Sequence, residues 1–298
     1  MVSLRRTRTV DDGAGAAAAV RTLAVLLQAG AAPLTAWRHL ADTGDEHAEN
    51  VISRCDEGLP LVAALEDEGG AWVDVAAAWE VATIVGAPLA DVLRSLADSM
   101  SDAAATVDEV RIALAEPAGT ARLLLWMPFA GLLLGFALGF DTLGVLFTHP
   151  FGGACLGAGL LLVLCARVWT GRMLRRARPS GRTPGLHAEL VAVGLAGGAS
   201  AERTLTLVDD GPARDRLDAG RITGVLELSR AAGVPAGELL RASAAQERHR
   251  ARVDGRTRAA RLSSQLLIPL GVCTLPAFLL LGVAPLMLSV LTSTPLPV

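Results

Sequence analysis

Long stretches of this 298-residue chain carry no charge, and they limit its fold more than any other feature. Between Arg122 and Asp141 the sequence reads LLLWMPFAGLLLGFALGF, 18 uncharged residues in a row. From Phe151 to Trp169 only Arg167 interrupts an apolar run, and after Arg261 no charged residue follows at all. A helix of roughly 20 such residues crosses a hydrocarbon core about 30 Å thick. Inside lipid every backbone N–H and C=O must be bonded within the structure. Continuous rather than alternating apolar residues select helices over strands. The runs predict spans at 122–141, 151–170 and 263–292, the last kinked at Pro269, Pro276 and Pro285.

Arginine placement orients these spans. All 27 basic residues are Arg. The segment 141–150 has none, whereas Arg172, Arg175, Arg176, Arg178 and Arg182 follow the second span and another Arg cluster precedes the third. Basic residues collect on the cytoplasmic side. The opening MVSLRRTRTVDDG lacks the apolar core of a secretory signal, so the N-terminus is expected in the cytoplasm and the C-terminus outside. The expected order is a tail at 1–13, a cytoplasmic helical bundle at 14–121, spans at 122–141 and 151–170, a shorter bundle at 171–262, a span at 263–292 and an external tail at 293–298.

The bundles read as all-α. Gly30, Gly58, Gly69-Gly70 and Gly86 stop apolar periodic segments, and Pro33, Pro60 and Pro88 open the next ones, the usual punctuation of consecutive helices. Leu89, Leu93, Leu96, Met100, Ala103, Val107, Val110 and Leu114 alternate by four and three. Such a heptad seam serves either a helix packed in its own bundle or a contact between subunits.

Two segments also share a spelling. Residues 79–93, WEVATIVGAPLADVL, and 226–240, LELSRAAGVPAGELL, pair Glu80, Gly86, Pro88 and Leu93 with Glu227, Gly233, Pro235 and Leu240. LVAVGLAGGASAERTL matches the opening helix pair at an offset of 167 rather than 147, so the second unit lacks a hairpin of about 20 residues. The pattern is that of an internal repeat.

Charge divides the two units. Residues 14–121 hold 17 acids and 5 Arg, and residues 167–262 hold 10 acids and 18 Arg. Opposite signs predict attraction between the units or steering of different partners. Part of the basic excess is also explained by topology and anionic lipid.

Chemistry is scarce by comparison. Cys55, Cys155, Cys165 and Cys273 form no C-x-x-C pair, and the His residues form no H-E-x-x-H. Ser263, Ser264 and Ser289 lie in a span without a His base. A chain without Lys has no phosphate-loop lysine. The expectation is a protein that is not an enzyme and uses no cofactor, catalytic residue or metal. An oligomeric membrane channel or transporter subunit is the alternative.

The Glu, Gly-x-Pro, Leu pattern at 80–93 and 227–240, with the opening LLQAGAAPLTAW, resembles the inner-membrane platform proteins of type II secretion and type IV pili, the F-domain family. Residues 14–178 and 185–292 look like the two paired platform subunits of tight-adherence (Flp) pili joined in one chain. The resemblance implies a multi-pass scaffold in a bacterial cell (inner) membrane. It also implies a hexameric secretion or pilus ATPase, pilin or pseudopilin subunits and other assembly proteins as partners, a homo-oligomeric state, and no nucleic acid. The candidate partner-binding acids are Glu80, Asp91, Asp98, Asp102, Asp108, Glu109 and Glu227. The candidate bases are Arg248, Arg250, Arg252, Arg256 and Arg258 on a helix that is polar on most faces. Glu80 and Glu227 either meet a partner's Arg or pair within their own bundle.

Overall fold

A computed structural model describes residues 12–137, 150–177, 183–214, 221–284 and 287. All regular elements among the described residues are helices. The first half comprises α1 (Asp12–Gln28), α2 (Pro33–Asp42), α3 (Glu46–Asp56), α4 (Leu61–Glu68), α5 (Trp72–Val85) and the 49-residue α6 (Leu89–Ala137). Then come α7 (Pro150–Ala177), α8 (Leu186–Ala196), α9 (Ala201–Asp210), α10 (Ile222–Ala232) and α11 (Ala236–Gln265).

The shared spelling has a local cause. Gly86 and Gly233 end α5 and α10 with φ of 75° and 66°, the left-handed region open to glycine. Two residues later, the carbonyls of Pro88 and Pro235 accept from Val92 and Leu239 and so start α6 and α11. Each motif is a stop followed by a start. Elsewhere Asp45 and Ser200 cap α3 and α9 by accepting from the amides of Ala48 and Arg203.

The chain divides into two compact units, one from residues 1–108 and 180–253, the other from 109–179 and 254–298. In the first unit, buried residues from both halves of the sequence join one core. Trp37 lies 5.7 Å from Trp72 and 6.2 Å from Trp79 between ring centroids, tilted in each case; such aromatic pairs contribute about 0.5–1.5 kcal/mol beyond their burial. Leu93 and Leu240, at matching places in α6 and α11, are both fully buried, as are Ala97 and Ala244. Arg21 donates to Asp98 and Arg94 to Gln28, so α1 runs antiparallel to α6. Leu93, Leu96 and Met100 enter this core, and Val110 is buried in a cluster of the second unit. The heptad seam therefore packs within its own chain at these positions. α9 ends at Asp210 and α10 begins at Ile222, which leaves no length for a counterpart of the α3–α4 hairpin.

In the second unit, Phe151–Met173 of α7 is the one helix among the described residues that is long and apolar enough to cross a membrane. Short helical pieces from Leu267 to Val283 pack on α7. Two of them, Leu270–Thr274 and Leu279–Val283, are π-helical and flank Pro276. Proline removes one ladder bond, and a wider turn absorbs the interruption. Gly159 admits Leu281, whose Cγ would lie 2.5 Å from a Cβ at that position. The predicted spans 122–141 and 263–292 extend outside the described residues at 138–141, 285–286 and 288–292.

Close helix approach in the first unit sets a stability test. A Cβ on Gly194 of α8 would lie 2.2 Å from Thr204 Cγ2 of α9, whereas one on Gly224 of α10 meets nothing within 4 Å. Gly194→Ala is expected to cost about 1–3 kcal/mol through overpacking. Gly224→Ala is expected to stabilise by about 0.5–1 kcal/mol through helix propensity. Thermal unfolding of the full chain, followed by circular dichroism, checks both signs.

Candidate functional site

Most of the chemistry that the described residues bring together lies along α6 and α11. α8 is an apolar helix with one acid, Glu189, which the fold buries. A carboxylate out of water requires hydrogen-bond donors and a counter-charge. Ser99, itself 2% exposed, places its hydroxyl 2.8 Å from both carboxylate oxygens. Arg248 Nη1 donates to Glu189 Oε1 at 2.6 Å and to Ser99 Oγ at 3.2 Å. The cluster thus joins α6, α8 and α11. Burial pushes the Glu189 carboxyl above the ordinary carboxylate range, while Ser99 and Arg248 pull it back.

Further along α6, Asp102 stands between two guanidinium groups of α11. Its oxygens lie 3.9 Å from Arg248 Nε and 3.8 Å from Arg252 Nη2, ion pairs too long to be hydrogen bonds. In the second unit, Arg256 Nε donates to Glu109 Oε2 at 2.9 Å. Glu109 and Arg256 are 147 positions apart, the spacing of the shared spelling. In the first unit Ser99 meets Arg248 and Asp102 reaches on to Arg252, so α6 and α11 run in the same direction there.

The other predicted candidates are placed differently. Asp91 pairs with Arg94 on its own helix at 3.6 Å, and Asp98 pairs with Arg21 at 2.8 Å. Both are surface pairs of the kind that contributes little. Asp108, Glu227, Arg250 and Arg258 are exposed and form no ion pair among the described residues. Glu80 is half-buried on α5. Its Oε2 is closed to solvent and accepts no hydrogen bond among the described residues. Burial, and then the charge of Glu66, raises its carboxyl above the ordinary range.

Sequence reasoning missed Glu189, Ser99 and Asp74. Asp74 is 1% exposed in α5 and accepts from Thr183 Oγ1 at 2.5 Å. A signal was present for both acids. Each is the one carboxylate in an apolar stretch of helix, LHAELVAVGLA and WVDVAAAW, and such a residue demands a partner from elsewhere in the chain.

Residues 19–137, from within α1 to the end of α6, match the family described as Type II secretion system (T2SS), protein F. The chain contains a type II secretion system F domain. No curated protein and no solved structure matches it. Ser99, Asp102 and Glu109 lie inside the F domain, and Glu189, Arg248, Arg252 and Arg256 lie outside it.

The buried pair makes an asymmetric prediction. Arg248→Leu strands the Glu189 carboxylate and is expected to cost about 3–5 kcal/mol. Arg248→Leu with Glu189→Leu is expected to recover most of that loss. A raised carboxyl means that the folded state holds the proton more tightly than the unfolded chain. This group's contribution to stability therefore falls as pH rises above its ordinary value of 4.5. The fall should be steeper in Arg248→Leu and absent in the double variant. Denaturant unfolding at acidic and neutral pH measures all three.

Proposed function

We propose that this chain is an inner-membrane platform protein of a type II secretion machine or of a Flp/tight-adherence pilus. In this reading it catalyses nothing. It couples a cytoplasmic hexameric ATPase to the assembly of pilin or pseudopilin subunits. The observation that carries the reading is the F domain at 19–137, followed by the membrane-length apolar helix Phe151–Met173. A platform needs stiff helical modules, an anchor and charged faces for partners. The α6–α11 seam meets the first need by tying α11 to the F domain through Asp102 and Glu109.

The F domain's own charge suggests where the ATPase docks. Residues 42–68 contain nine acids and one Arg. Asp42, Glu46, Glu49, Asp56, Glu57, Glu66 and Asp67 are exposed there, on and around the α3–α4 hairpin that the second half lacks. A basic face of a cytoplasmic ATPase is its proposed partner, steered by opposite charge.

Deletion of the gene in its own host is expected to abolish surface pili or the secreted substrate, with ATPase and pilin levels unchanged. Complementation with a neutralised hairpin (Glu46→Gln, Glu49→Gln, Asp56→Asn, Glu57→Gln) should restore membrane accumulation and fail to recruit the ATPase to membranes. Normal piliation and secretion in the deletion strain would overturn the platform reading. Ion flux through reconstituted vesicles without ATPase would favour a channel instead.

A further inference from the structure

A second feature of the first unit is a groove of about 430 Å³ between α5 and α9. Glu80 and Ile84 form one wall, and Arg203, Leu207 and Asp210 form the other. It combines two features that a surface rarely keeps together. Ile84 is 49% exposed, and beside it the Glu80 Oε2 atom is closed to solvent without a donor. Arg203, although it lines the same groove, forms no ion pair with Glu80 among the described residues. Gly211 borders the same space: a Cβ there would lie 3.0 Å from the Leu207 carbonyl oxygen and 3.4 Å from that Glu80 oxygen. A buried carboxylate oxygen without a donor is costly. The groove therefore fits an occupant that carries a cation and an apolar side chain about one helical turn apart.

The chain itself presents that combination. On α11, Arg250 is exposed with no ion pair among the described residues, Val253 is 45% exposed, and Asp254 is exposed. Spacings of three and four put these residues on one side of a helix. Arg250 complements Glu80, Val253 complements Ile84, and Asp254 complements Arg203, which forms no ion pair among the described residues. Within one chain the Arg250 and Glu80 side chains form no pair.

We infer that the α5–α9 groove receives α11 of a second copy of this chain, with the Arg250 guanidinium donating to Glu80. Groove and helix are different surfaces, so the contact is head-to-tail and joins copies into a ring or a filament. The inference goes beyond the proposed function and does not depend on which machine the chain serves. Its readout is contact between copies, whereas that of the platform reading is piliation or secretion.

The experiment uses the full chain in membranes, with Cys55, Cys155, Cys165 and Cys273 replaced by Ala. Two differently tagged versions are co-expressed, one with Glu80→Cys and the other with Arg250→Cys. A short bismaleimide is expected to yield a cross-linked dimer carrying both tags. A control pair with Asp56→Cys and Arg250→Cys should not. In a second arm, cysteines at Ile84 and Val253 report contact while the charges are changed. Glu80→Arg or Arg250→Glu alone should lower that cross-link about tenfold or more, the scale expected when one member of a desolvated charge pair is removed. Glu80→Arg combined with Arg250→Glu should restore it at equal membrane abundance. Absence of the two-tag dimer overturns the inference, as does a double variant no better than either single one. Cross-linking of Glu80→Cys to an ATPase or pilin instead of to a second copy overturns it equally.

Discussion

The fold of the first unit depends on how one carboxylate is kept out of water. Glu189 lies on an apolar helix that must bury its surface, yet burial of an unpaired charge is among the costliest events in folding. The chain meets that demand by bringing a serine from α6 and an arginine from α11 to the same point. An apolar contact tolerates some sliding between helices, whereas a hydrogen-bonded ion pair does not. The cluster therefore fixes the register of three helices whose remaining contacts are largely leucine and alanine. Asp102 then lies between Arg248 and Arg252 as a consequence of that register.

This arrangement changes the meaning of the charge division between the two halves. Part of it is consumed inside the chain, where acids of α6 meet arginines of α11. What remains exposed is separated into an acidic hairpin at 42–68 and arginines such as Arg250 and Arg258 that form no ion pair among the described residues. The charges that pair inside the chain and those that stay exposed are different residues of the same two sets.

Much of this was legible in the sequence because it is local. Gly86 and Gly233 stop helices for a backbone reason that needs no knowledge of neighbours. The membrane-length helix of α7 follows from composition. The F domain at residues 19–137 was legible from the Gly-x-Pro spelling at 80–93 and the opening LLQAGAAPLTAW. The site was less legible. Arg248, Arg252 and Arg256 look like equivalent members of a basic helix, but Arg248 is half-buried on Glu189 while Arg256 stays exposed beside Glu109. Only the packing of α8 against α6 and α11 distinguishes them. Glu80 and Glu227 hold the same place in the shared spelling, yet the first is half-buried beside α9 and the second is exposed, a difference set by tertiary contact.

The 49-residue length of α6 has a mechanical consequence. At 1.5 Å per residue it is a strut of about 73 Å. Pro117 and Pro128 fall within its sequence, and each lacks the amide hydrogen that would bond to the preceding turn. A helix with two such weak points concentrates flexure there and leaves the stretch within the first unit, from Leu89 to Asp108, stiff. Thrust applied along that stiff stretch would travel as displacement, and sideways load would be shed at Pro117 before it strained the Glu189 cluster.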